Sequence, residues 1–134
     1  MNNKEVEQQH YEFQERFNKE RLENGMPEDN FKIVAIGYLE LSEPFERGEV
    51  PEGFITKLKI LWGEGIMMGS LGHHDCEFCI DEDNYENRGR SSSEKTLEDV
   101  RNETTYYFPE MIFHYIEVHK FKPSEEFIEF VMRV

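Results

Sequence analysis

The sequence predicts an α+β fold: a small mixed sheet with packed helices, a zinc knuckle held against a C-terminal helical pair, and an additional N-terminal helix. Apolar residues recur at helical spacing in four segments, and short apolar runs between them are typical of strands. The two kinds of segment do not alternate strictly, which favours α+β over a doubly wound sheet. The 134 residues suffice for one domain with a core of its own.

The first helix is predicted over residues 3–24. Its apolar residues form a narrow stripe at spacings of four, three and four: Val6, His10, Phe13 and Phe17. Asn24-Gly25, followed by Pro27, is a typical stop signal. Because so thin a stripe buries little, we expect an N-terminal helical extension over 1–25 and a single zinc-binding domain over 26–134. The extension either lies on that domain or pairs with a second copy in a homodimer.

The other elements follow from apolar runs and from proline. Strands are predicted over residues 31–39, 66–71, 94–100 and 104–108. Helices are predicted over residues 51–62, 109–119 and 123–134, and each begins at a proline, which suits the first helical turn. The polar residues 81–93 are expected to form a surface loop.

Charge and cysteine content limit the classes of function. The formal net charge is -14, which argues against binding to nucleic acid or to an anionic membrane and permits a basic protein partner. No run of about 18 apolar residues is present, and no signal peptide is evident. Two cysteines separated by two residues are a poor disulfide framework, so we expect a reducing, cytoplasmic location.

A Cys-x-x-Cys and a His-x4-His pair carry the main functional signal. Cys76 and Cys79 supply two thiolates at the spacing of one tight turn, and His114 and His119 supply two imidazoles. Zn²⁺ prefers four such ligands in a tetrahedron. The alternatives are inert buried cysteines with a core histidine, a thiol nucleophile, or a redox pair, which would normally open a helix after a strand.

The histidine spacing raises a geometric question. Residues five apart on an α-helix point about 140° apart, so both imidazoles face one ion only if the last turn loosens. Otherwise His74, which lies on the same knuckle (residues 72–79) as the two cysteines, is the alternative ligand. The fifth candidate would then orient its neighbours.

Several motifs occur together: residues 37–39, 44–45, 50–54, 72–79, 108–110 and 114–116, with His119, Phe121, Pro123, Glu126 and Phe127. This combination resembles a family of small uncharacterised bacterial proteins, over about residues 36 to 130 and without the N-terminal helix. The resemblance implies that five residues belong to one sequence pattern: His74, Cys76, Cys79, His114 and His119. It does not imply what chemistry they perform. The chain departs from it at His73, where an aromatic residue is more usual, and in its acidic loop after Cys79.

The function that these residues favour is a non-enzymatic interaction module with a structural zinc site, because four filled ligand positions leave none for water. A zinc-dependent hydrolase is the first alternative, with three protein ligands, a metal-bound water and Asp75 or Glu117 as the base. The second is an acidic immunity-type or inhibitor protein that binds a basic target. Enzymatic activity is left open, with the balance against it.

Overall fold

The predicted helices and strands are all present, and the α+β class is confirmed. A computed structural model describes residues 2–69, 74–81, 90–91 and 93–134. The helices are α1 (Asn3–Glu23), α2 (Phe54–Glu64), α3 (Glu77–Asp81), α4 (Met111–His119) and α5 (Glu125–Arg133). The strands are β1 (Lys32–Ala35), β2 (Ile66–Gly69), β3 (His74–Asp75), β4 (Arg90–Ser91), β5 (Glu94–Asp99) and β6 (Thr104–Pro109). Most of the loop predicted over 81–93 lies outside the described residues.

The main sheet is mixed, as predicted. Its four strands have the order β1-β6-β5-β2. β1 runs parallel to β6, and the other two pairs are antiparallel. β3 and β4 form a separate two-stranded ladder. Parallel neighbours need a long crossover, and here it contains α2, β2, β3, α3, β4 and β5.

The principal core lies on the sheet face that packs against α2, α4 and α5. Alternate residues of a strand face opposite sides, so Tyr106 and Phe108 of β6 point together into this core. The ring centroid of Phe127 in α5 lies 5.0 Å from that of Tyr106 and 5.7 Å from that of Phe108. Phe54 of α2 packs on the same ring of α5 at 6.3 Å. Four fully buried aromatic rings therefore hold two helices on the sheet.

Side chains of α1 cover the free edge of β1. The backbone N–H of Ala35 donates to Glu7 Oε2 at 3.0 Å, and that of Ile33 donates to the Tyr11 hydroxyl at 3.0 Å. The α1 residues that bond the chain over 29–38 in this way are spaced four, four, three and four apart: Asn3, Glu7, Tyr11, Gln14 and Asn18. One stripe of the helix thus satisfies backbone groups that an edge strand would otherwise leave unpaired.

Several predicted boundaries were wrong: the helices predicted from Pro109 and Pro123 begin at Met111 and Glu125, and a glycine explains two further differences. The strand predicted over 31–39 ends at Ala35, since Gly37 has a φ of 90° and turns the chain away from the sheet. The helix predicted from Pro51 begins at Phe54, because Gly53 at the N-cap has a φ of 83°. Residues 51–54 instead form a turn in which the Phe54 N–H donates to the Pro51 carbonyl at 3.1 Å.

A buried carboxylate anchors the C-terminal helix to the sheet. Asp99 of β5 is 2% exposed, and its Oδ1 accepts from Arg133 Nη2 at 2.8 Å. Asn102 Nδ2 donates to the other oxygen at 2.8 Å. Burial alone would raise the pKa of Asp99, but the hydrogen bonds from Asn102 and Arg133 outweigh it and hold the pKa below its ordinary value.

Asp99→Asn is therefore expected to destabilise the domain by about 1–3 kcal/mol at neutral pH. A carboxyl whose pKa is lower in the folded state stabilises fully above its ordinary pKa and loses that contribution as pH falls through the folded value. Urea unfolding between pH 3 and 7 should show the two proteins converging toward acid pH. Glu117→Gln, which removes the exposed partner of Lys59, should change stability by less than about 0.5 kcal/mol. A constant difference at every pH would contradict this assignment.

Candidate metal centre

The four predicted ligands converge on one point. One ligand atom each from Cys76, Cys79, His114 and His119 lies within 4.8 Å of all the others. Both cysteines and His119 are buried, and His114 is partly buried. The centre joins two segments that are more than 30 residues apart in sequence. This buried Cys2His2 group could hold a metal ion.

The knuckle lies where β3 passes into α3. Cys76 directly precedes α3, and Cys79 is in it. Between them Phe78 is buried, with its ring 5.2 Å from that of Phe45 and 5.3 Å from that of His119. A helix after a short strand is also the placement expected of a redox Cys-x-x-Cys, so placement alone does not separate the two chemistries. The two histidines close to the cysteine sulfurs favour a metal site over a redox pair.

Helix α4 presents both histidines, and the hydrogen bonds at its C-terminal end are wider than α-helical ones, in agreement with the loosened last turn that we predicted. It stays α-helical to His119, where Lys120 with a φ of 59° ends it. The Lys120 N–H donates to the Tyr115 carbonyl, and the Phe121 N–H donates to the same carbonyl at 3.0 Å, so these two bonds reach back five and six residues where an α-helical bond reaches back four. The two imidazole centroids lie 5.1 Å apart. With this wider end, Nε2 of both histidines lies within 3.4 Å of Cys79 Sγ.

The distances between ligand atoms suit a tetrahedral ion. Nε2 of His119 lies 3.3 Å from Cys76 Sγ and 3.4 Å from Cys79 Sγ, and Nε2 of His114 lies 3.3 Å from Cys79 Sγ. With Zn–S near 2.3 Å and Zn–N near 2.0–2.1 Å, a tetrahedron has an S···N edge of about 3.6 Å. The group therefore needs only a small expansion to admit zinc.

Protonation within the centre also favours metal binding over thiol chemistry. Burial raises the pKa of Cys76 to about 11, whereas a reactive thiol needs a lowered pKa. Burial, and then the neighbouring His119, lower the pKa of His114, so this imidazole is neutral and free to coordinate. A cation that displaces the thiol protons would supply the positive charge that the centre needs.

The sequence also offered Glu117, His74 and Asp75 as site residues. Glu117, the predicted base of a hydrolase, is exposed on α4 and forms an ion pair with Lys59 at 3.2 Å. His74 and Asp75 are placed as strand β3, but their side chains, like all of His73, are outside the part that the structure describes. The role of His74 as an alternative ligand stays a prediction.

Sequence reasoning missed the loop that fastens the end of α4. The Gly48 N–H donates to the Lys120 carbonyl at 2.9 Å, and the Lys122 N–H donates to the Glu46 carbonyl at 2.9 Å. Phe45, in the same loop, packs on Phe78 of the knuckle. The sequence signal for this contact was one aromatic residue in an otherwise polar loop. That signal was too weak to predict that the loop bonds the end of α4.

The chain belongs to the family described as Domain of unknown function (DUF7919), whose model matches residues 4–132. That match includes α1, whereas the resemblance seen in the sequence began at about residue 36 and excluded the helix. No curated protein and no solved structure matches the chain. Among the described residues, no helix is both long enough and apolar enough to cross a membrane.

Proposed function

We propose that this DUF7919 domain is a non-enzymatic interaction module whose fold is held by a structural Zn²⁺. The observation that carries the proposal is the buried group of two sulfur and two nitrogen atoms, all within 4.8 Å of one another. Such a mixed set favours zinc over Mg²⁺ or Ca²⁺, which take oxygen ligands. The ligands would be Cys76, Cys79, His114 and His119.

Burial supports a structural role for the ion. Cys76 is 0% exposed, Cys79 1% and His119 5%, so water has little access to the ligand atoms. A catalytic zinc keeps an open position for water or substrate, whereas four protein ligands close the site. Glu117, the acidic residue of α4, is also held at the surface by its ion pair with Lys59. These features favour a closed site over a hydrolase.

The partner that we propose is a protein with a basic surface. The chain carries a formal net charge of -14, and complementary charge speeds the encounter of proteins. An immunity-type or inhibitor role is one form of this proposal. Binding to such a partner should weaken steeply as salt is raised, because the Debye length falls from about 10 Å at 0.1 M to about 3 Å at 1 M.

Elemental analysis of the untagged protein should find one zinc ion per chain. Cys76→Ser combined with Cys79→Ser should lower the zinc content to background, because serine is not a ligand that zinc selects. Glu77→Gln, which changes an exposed residue between the two cysteines, is the matched control and should retain the ion. Metal-free wild-type protein with full stability would refute the proposed site.

The same preparations separate the structural role from the catalytic one. We expect no metal-dependent turnover of esters, phosphodiesters or peptides. Hydrolysis that is lost in Glu117→Ala or Asp75→Ala, with zinc content and melting temperature unchanged, would instead establish the hydrolase.

A further inference from the structure

A second candidate site lies on the opposite face of the sheet from the metal centre. There α1 and the sheet enclose a cleft of about 410 Å³, a size typical of small-molecule sites. Its walls are aromatic: Phe13 and Phe17 come from α1, and Tyr107 comes from β6. Phe13 is 38% exposed and Phe17 54%, although both are apolar. Phe13 and Phe17, which the sequence placed in the apolar stripe of α1, therefore line an open cleft.

A buried polar cluster fixes one wall of the cleft. His10 Nε2 lies 3.0 Å from Glu94 Oε1, and the Tyr38 hydroxyl donates to the other oxygen of Glu94. The imidazole of His10 is stacked on the ring of Tyr107 with centroids 3.7 Å apart and planes 15° apart. His10 and Glu94 are 6% and 3% exposed. Side chains held on several sides form a preorganised wall, which lowers the entropic cost of binding.

The cleft contains a polar group without a partner. Thr96 of β5 lines it and is 7% exposed, and its Oγ1 has no hydrogen-bond partner among the residues that the structure describes. A buried hydroxyl left unsatisfied is costly, and native proteins seldom retain one without a reason. A ligand that displaces the side chain covering this hydroxyl and presents a polar group to it would remove this cost.

We propose that the cleft binds a small planar aromatic amine. Phe13, Phe17 and Tyr107 offer ring surface for stacking and for cation–π attraction, with His10 stacked on one face of Tyr107 and the Arg16 guanidinium 5.4 Å from the centre of the Phe13 ring. At the rim Asp29 pairs with Arg21 at 3.9 Å, while Glu98 presents a second, exposed carboxylate. The negative charge of the whole chain also attracts cations. The ring lies between the aromatic walls, its ammonium group faces Glu98, and a polar ring atom bonds Thr96.

Tryptamine is a suitable probe, and indole-3-propionate is its anionic counterpart with the same ring system. Titration of the full chain, followed by ¹H–¹⁵N NMR, should shift the amides of Thr96 and Tyr107. We expect a Kd on the order of 1 mM for tryptamine, as for a fragment-sized ligand, and binding at least about tenfold weaker for the propionate. Glu98→Gln should reduce this preference, whereas Glu52→Gln, which changes an exposed acid before α2, should leave it unchanged.

Two variants test the contacts. Thr96→Val keeps the shape, removes an unpartnered hydroxyl without harm to folding, and should weaken binding roughly fivefold. Phe17→Ser changes an exposed side chain and should weaken it more than tenfold. No cleft shift at about 10 mM tryptamine, or shifts that persist unchanged in both variants, would overturn the proposal. Shifts of the same amides that depend on protein concentration without probe would overturn it in favour of a second copy as the occupant.

Discussion

His119→Ala is expected to lower the melting temperature by more than about 10 °C. The side chain is 5% exposed, and its Nε2 lies within 3.4 Å of both sulfurs. The proposed ion would tie α4 to the knuckle, so its binding free energy would become folding free energy, which is about 10–16 kcal/mol for zinc-finger peptides. Losing one ligand removes several kcal/mol, and each kcal/mol is worth about 2–8 °C in domains near this size.

A cycle with a chelator separates loss of the metal from loss of packing. Chelation should destabilise the wild-type protein at least as much as His119→Ala does, and it should have a smaller effect on the variant, which has already lost one ligand. Two changes that act through the same ion are not additive, whereas independent changes add. Scanning calorimetry of the four states, wild type and variant with and without chelator, measures the coupling directly.

Phe78→Leu is the matched control for packing next to the centre. Phe78 is buried between Phe45 and His119, so a smaller side chain destabilises the core, by roughly 1–3 kcal/mol. It removes no ligand, and its response to chelation should equal that of the wild type. If chelation leaves the wild type unchanged while His119→Ala still melts early, His119 is a hydrogen-bonded core residue and no structural ion is present.

The metal centre was accessible to sequence reasoning because its residues carry a specific spacing. Cys76 and Cys79 can meet one ion through a single turn, and few other uses require two histidines close by on a core-facing helix. The class of the fold followed from apolar periodicity in the same way. The histidine spacing also indicated that the last turn of α4 would widen, and the hydrogen bonds from Lys120 and Phe121 to the Tyr115 carbonyl agree with this.

The role of α1 could not be predicted from its residues. Polar side chains spaced three and four apart indicate a solvated helix face, yet here they bond the edge of β1. Which backbone groups stay free depends on strand order, and strand order is set by contacts distant in sequence. The pairing of His10 with Glu94 was missed for the same reason, since the two residues are 84 positions apart.

The domain boundary predicted at residue 25 stays a prediction. The contacts of α1, however, favour a helix that is part of the domain over a separable extension. Val6 is 0% exposed and packs on Ala35 and Tyr38. Removing the helix would expose this cluster and the edge of β1, and it would leave Glu94 without its histidine partner. Unpaired strand edges promote association between chains. We therefore expect deletion of residues 1–25 to give an aggregating or molten protein.

Two point variants make this expectation testable even if the truncated chain cannot be purified. Val6→Ala should cost about 1–3 kcal/mol in urea unfolding, because it opens a cavity beneath the helix. Phe17→Ala, on the same helix but 54% exposed, should cost less than about 0.5 kcal/mol. If α1 were a detachable extension, both variants would leave the unfolding of the domain unchanged, and residues 26–134 alone would unfold cooperatively at the wild-type midpoint.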